Sequence, residues 1–275
     1  GETREITVLF SDVRGFTSIA ESFRNDPSEL TNLMNRLLTP LSNAIIERQG
    51  TIDKYMGDAV MAFWNAPLDD ADHATHAGEA ALLMFERVEA LNQRLEQEAR
   101  SAGRRHLPME FGIGIATGNT VVGNMGSDLR FDYSVLGDTV NLASRLEGLT
   151  AQLQVPNLIS ETTARAVDGQ LAVVEVDLVR VKGKSNPERV FSIIGGQALT
   201  GDAAFKRFRD GLDNCRELYR SRSFDECHRF VAELDELSRR FGVPGIVEVY
   251  RARCDNFLNN PPDEAWDGIY NAETK

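Results

Sequence analysis

From Glu5 to Val13 the residues Ile6, Val8 and Phe10 alternate with Thr7, Leu9 and Ser11, a period of two that predicts a strand over 5–13. The period then changes. Leu30, Leu33, Met34, Leu37, Leu38, Leu41, Ile45 and Ile46 recur at helical spacing between Pro27 and Arg48, and Gly50 closes the run. TIDKYMGDAVMAFW reads as a hairpin, two strands joined at Gly57-Asp58. A second long helix is expected from Asp72 to Arg100, with an Ala/Leu face and a Glu/Arg face. Two strands follow at MEFGIGIATG and NTVVGNMG. FDYSVLGD is extended, and DTVNLASRLEGL is a short helix capped by Asp138. A small helix over Glu161 to Val167 and two strands, LAVVEVDLVRVKG and RVFSII, complete the unit by Ile194.

Strand, helix, hairpin, helix, strand is the order of a split βαβ unit. The expected fold class is therefore α+β, with a ferredoxin-like βαββαβ core and appended strands. Gly195-Gly196 marks a change to polar, helical sequence, in which YRSRSFDECHRFVAEL and VPGIVEVYRARCDNFL resemble a degenerate helical-hairpin repeat. The expected organisation is one domain over 1–195 and a small helical, TPR-like module over 196–275. Tyr219, Tyr250 and Trp266 are expected to anchor the tail helices.

Composition narrows the functional classes. A net charge of −12 over 275 residues excludes a general nucleic-acid binder, which needs a basic footprint, but permits an anionic substrate held with a cation. The three cysteines, Cys215, Cys227 and Cys254, lie late and in no metal-ligand spacing, so reduced thiols in a cytoplasmic setting are expected. No apolar run approaches membrane-spanning length. The chain opens on Gly1, which leaves room for an upstream sensor or membrane segment. His73 and His76 have no third ligand in sequence and are expected at the surface.

Three places carry candidate chemistry. Asp12 follows an apolar strand and precedes a glycine turn, where a carboxylate must be solvated, paired or bound to a cation. A ferredoxin-like sheet can bring it to Asp58 at the hairpin turn. Two facing carboxylates repel unless one is protonated or a divalent cation lies between them, and oxygen-only ligation suits Mg²⁺ or Mn²⁺. Asp58 also has a plainer reading as a turn residue. Gly15, with the amides of Phe16 and Thr17 opening a helix, is a second candidate, for phosphate; an ordinary N-cap is its plain alternative. Third, Asn141 and Arg145 lie four apart on one helix face, either as a solvated polar face or as a pair able to position a ribose and neutralise phosphoryl charge.

FSDVRGFT, KYMGDAV and VLGDTVNLASRLE, in this order and spacing, resemble the class III nucleotidyl cyclase catalytic domain over about Glu5 to Ile194. The resemblance implies an adenylate cyclase acting on ATP in an antiparallel homodimer, with each site built from both chains. It implies that Asp12 and Asp58, with the carbonyl of Val13, bind two Mg²⁺ or Mn²⁺ ions. Lys54 and Ser134 fall at the purine-reading positions, and Ser134 is closest to the subgroup carrying Thr there. Asn141 and Arg145 match the transition-state pair. Lys182 matches a lysine contacting the terminal phosphates, with Lys184 a nearby competitor and Arg130 a weaker phosphate candidate. A guanylate cyclase and a non-catalytic nucleotide-binding module are the rival readings. The tail leaves room for a protein partner.

Overall fold

The computed structural model describes residues 1–103, 106–127, 129–180 and 186–272. These form two compact units, Gly1–Glu147 and Gly148–Lys275. The first contains β1 (Glu2–Val13), α1 (Phe16–Ser22), α2 (Pro27–Glu47), β2 (Thr51–Met56), β3 (Ala59–Trp64), α3 (His73–Ser101), β4 (Phe111–Ser127), β5 (Arg130–Leu136) and most of α4 (Asp138–Gln152). β1 lies between β3 and β4, antiparallel to both, and β2 adds outside β3. The resulting order, β2-β3-β1-β4, is that of the expected βαββαβ core.

β1 is buried on both faces over Ile6, Thr7, Val8 and Leu9, with Phe10 half-buried, so the alternating pattern belongs to a strand covered on both sides, while α2 turns Leu37, Leu41, Ala44 and Ile45 inward. Each buried Leu, Ile or Val side chain contributes about 1.5–3 kcal/mol when taken from water. Asp26 starts α2 by accepting a 3.0 Å hydrogen bond from the Glu29 amide. α3 presents a flat stripe of Ala74, Ala77, Ala80 and Ala81, with Met84, Val88 and Leu91 beyond it.

The run expected as two strands is a single one from Phe111 to Ser127, not two, because Gly118 keeps a negative φ and no turn forms there. His73 is buried, not at the surface: its Nδ1 lies 2.7 Å from the Thr7 hydroxyl, which in turn lies 2.8 Å from that of Thr117. Burial lowers its pKa, so it is a neutral core group. His76 is half-buried and lies 2.8 Å from Asp70.

The long strand β4 also seats α4. A Cβ on Gly114 would fall 2.1 Å from the Ala143 carbonyl oxygen and 2.2 Å from the Glu147 amide nitrogen. Only hydrogen fits between strand and helix there, so glycine sets how closely α4 approaches.

The second unit holds β6 (Asn157–Ser160), α5 (Glu161–Ala166), β7 (Ala172–Arg180), β8 (Glu188–Gly195), α6 (Gln197–Thr200), α7 (Ala203–Arg220), α8 (Phe224–Glu233), α9 (Asp235–Arg240), α10 (Pro244–Asn259) and β9 (Tyr270–Asn271). Its strand order is β6-β8-β7-β9; the sequence pattern shows neither β6, α6 nor β9. The helices after residue 196 are fastened to β7 by buried charges. Glu175 takes ion pairs from Arg189, Arg216 and Arg220, and Arg216 also donates to the Glu175 carbonyl at 2.6 Å. Asp177 accepts from Arg253 at 2.6 Å and from the Tyr250 hydroxyl at 3.3 Å. Tyr219 meets Tyr250 and Trp266 edge-on, as expected of anchoring aromatics. All three cysteines are free and buried among these helices, with Cys215 Sγ 3.4 Å from Cys227 Sγ. Hydrogen bonding from Cys215 and burial push the Cys227 thiol up to about 12, so it packs as a small apolar group.

Candidate active site

β1 ends at Val13, and the hairpin between β2 and β3 turns at Gly57, which has φ 68°. Pairing of Ser11 with Val60 brings the two ends together. The Val13 amide donates to Asp58 Oδ2 at 3.3 Å, and both Asp12 and Asp58 are half-buried. Burial raises the Asp58 pKa, and the facing Asp12 carboxylate raises it further; hydrogen bonds from its own amide and that of Val13 oppose this without cancelling it. A carboxylate pair that resists double ionisation is suited to a divalent cation, and its hard oxygen donors fit Mg²⁺ or Mn²⁺. Among the described residues no group of three or more His, Cys, Asp or Glu is placed to hold a metal ion, so substrate and water oxygens would complete the shell.

Next to this pair, Gly15 adopts φ 65° and opens α1 with no side-chain cap. The first amides bonded back within the turn are those of Ser18 and Ile19, to the Gly15 carbonyl. The amides of Phe16 and Thr17 precede them, at the open end of the helix.

Lys54 is exposed on β2, and Ser134 is buried on β5, a non-neighbouring strand far along the chain. The structure brings them together through Asp53, which the sequence reading did not single out. Ser134 Oγ donates to Asp53 Oδ2 at 2.7 Å, and Lys54 Nζ lies 3.5 Å from Asp53 Oδ1. The Asp53 side chain is fully buried, and its Oδ1 has no hydrogen-bond partner. An acid inside a strand that otherwise reads TIDKYM was the available signal, since Asp is depleted in strands.

Asn141 and Arg145 occupy α4, the first exposed and the second half-buried. Among the described residues neither is tied up in a side-chain hydrogen bond or ion pair. Arg130 is 82% exposed on β5, 3.6 Å from Asp132. Lys182 and Lys184 lie outside the described residues.

A mixed α+β sheet with an acidic pair at the tip of its first strand defines a class of domain equipped with oxygen donors for a hard cation. The adenylate and guanylate cyclase catalytic domain model matches residues 1–195, and the chain belongs to that family. It is 37% identical over 196 residues to an adenylate cyclase of Anabaena cylindrica, covering 70% of this chain and 37% of that protein. It is 33% identical over 192 residues to adenylate cyclase 1 of Rhizobium meliloti (strain 1021), covering 70% of this chain and 28% of that protein. The chain thus spans about a third of the length of these curated relatives. Among solved structures, the guanylyl cyclase Cya2 superposes with a TM-score of 0.63 at 34% identity, covering 71% of this chain and 94% of that one. The adenylyl cyclase CyaB from P. aeruginosa does so with a TM-score of 0.61 at 34% identity, covering 70% and 96%.

Proposed function

We propose that the chain is an adenylate cyclase, converting ATP to 3′,5′-cyclic AMP and pyrophosphate. The observation that carries this reading is the facing pair Asp12–Asp58 in a member of the cyclase family. In the reaction the ribose 3′-oxygen attacks the α-phosphorus and pyrophosphate leaves. Asp12 and Asp58, with the Val13 carbonyl, are the residues that would hold two Mg²⁺ or Mn²⁺ ions. The chemistry such ions supply when bound is activation of the attacking hydroxyl and neutralisation of the triphosphate. Gly15 and the Phe16 and Thr17 amides receive phosphate oxygens, Lys182 contacts the terminal phosphates, and Arg130 is a weaker phosphate candidate. Lys54 and Ser134 read the purine. Asn141 positions the ribose, and Arg145 neutralises charge developing on the phosphoryl group.

The site closes only in a homodimer in which a second copy lends Asn141 and Arg145. Exposed Tyr55 and Met56 on β2, and Phe131 and Leu136 on β5, supply an apolar surface for that contact. The catalytic domain is 1–195 and the remainder a helical extension. No helix among the described residues is long and apolar enough to cross a membrane, and a cytoplasmic site of action is part of this reading.

Product identity tests it. Purified chain with Mn²⁺ and ATP should release cyclic AMP, with specific activity rising as protein concentration drives association; no cyclic AMP at any concentration rejects the proposal. The similarity to Cya2 keeps guanylate cyclase as a second reading, which a higher kcat/KM for GTP than for ATP would establish.

A further inference from the structure

The purine-reading pair leaves one question of proton inventory. A serine hydroxyl has one hydrogen to donate and lone pairs that accept, so by itself it satisfies the 6-amino group of adenine or the 6-oxo group of guanine equally well. Lys54 donates only, and both purines present acceptors on that edge. Discrimination therefore falls to the direction of the Ser134 hydroxyl. Its hydrogen points to Asp53 Oδ2 at 2.7 Å, which leaves only lone pairs for a ligand.

Asp53 holds that position for a structural reason. The register of β2 against β3 slips between Ile52, opposite Ala62, and Lys54, opposite Met61, leaving Asp53 as the extra residue of a bulge. Strict alternation would send Asp53 and Lys54 to opposite faces. The bulge instead turns the carboxylate toward β5 while Lys54 Nζ stays 3.5 Å away, and a bulge beside a site is a common way to re-aim a side chain. Burying a side chain with one oxygen lacking a hydrogen-bond partner is unfavourable for packing alone.

We propose that Asp53 is a specificity-determining positioning residue: it binds the Ser134 hydroxyl hydrogen, fixes that oxygen as an acceptor, and so selects purines bearing a 6-amino group. This rests on the assignment of Lys54 and Ser134 as purine readers. With a 6-oxo purine two acceptors face each other, and one mismatched hydrogen bond corresponds to about tenfold in selectivity.

ATP and inosine triphosphate are the probes: they differ in the six-position group and in the N1 hydrogen that accompanies the oxo form, and share everything else. The ratio of their kcat/KM values should fall about tenfold in Asp53→Ala and less, in the same direction, in the isosteric Asp53→Asn. The Asp53→Ala effect should vanish in a Ser134→Ala background, where no hydroxyl remains to orient. A merely structural Asp53 would depress both nucleotides alike, and an unchanged ratio in the Asp53 variants overturns the proposal. If Asp53→Ala does not fold, Asp53→Asn decides alone. Where a variant cyclises neither nucleotide, displacement of a fluorescent ATP analogue by each gives the same ratio. If Ser134→Ala itself leaves the ratio unmoved, the purine-reading assignment fails, a result distinct from failure at Asp53 only.

Discussion

Asp58 binds its proton more tightly than a free aspartate because it is partly buried and faces Asp12. A raised folded-state pKa means that ionisation costs stability: the deficit appears as pH rises from the unfolded value to the folded one and persists above it. Asp58→Asn should therefore leave the melting temperature unchanged or higher at neutral pH while cyclic AMP formation falls by about 100-fold or more. Scanning calorimetry with and without Mn²⁺ separates the roles. Mn²⁺ should raise the melting temperature of the parent chain and not of the variant, by ligand linkage; an equal shift in both would remove Asp58 from the metal site. Asp12 and Asp58 were legible in sequence because each stands beside a local signal, a strand end and a glycine turn. Asp53 and His73 were not. The bulge that re-aims Asp53, and the Thr7–Thr117 pair that receives His73, exist only once β2 has met β3 and β1 has met β4.

Among the elements, α4 depends most on a single residue elsewhere. Its Asn141 and Arg145 are aimed by contact with β4 at Gly114, where an added methyl would meet backbone rather than a yielding side chain. Gly114→Ala should cost about 3 kcal/mol by overpacking, read from urea unfolding, and lower kcat more than it raises KM for ATP. Unchanged stability would mean that α4 moves away freely. The run GIGIATG signalled a strand but not its length, because a glycine at 118 is compatible with a turn as well as with the extended backbone observed. Helices α2 and α3 were more legible, since their apolar period extends over many residues and α2 has an Asp cap and a Pro at its start.

Across the whole molecule, the charges on β7 matter most for stability. Burial alone would raise the Glu175 pKa, but hydrogen bonding from Arg189 and the charges of Arg216, Arg189 and Arg220 hold it below the ordinary glutamate value. A depressed pKa contributes stability that is present above the unfolded value and lost as pH falls through the folded one. The parent chain should lose melting temperature over that acid window more steeply than Glu175→Gln does. Glu175→Ala removes the buried carboxylate shared by Arg189, Arg216 and Arg220 and should cost about 3 kcal/mol in chemical denaturation. For the same reason a chain ended at Gly195 should aggregate or melt early, because Glu175 and Asp177 would lose Arg216, Arg220 and Arg253 together. A monodisperse truncation with an unchanged melting curve would show that these pairs add nothing. By itself the sequence determined what short-range order can encode: the periods of strands and helices, the order βαββαβ, the glycine turns and the acids beside them. Tertiary structure alone decided which hydroxyl Asp53 reaches, how closely α4 lies on β4, and which helix arginines reach β7, because each depends on residues dozens of positions apart meeting at close-packing distances.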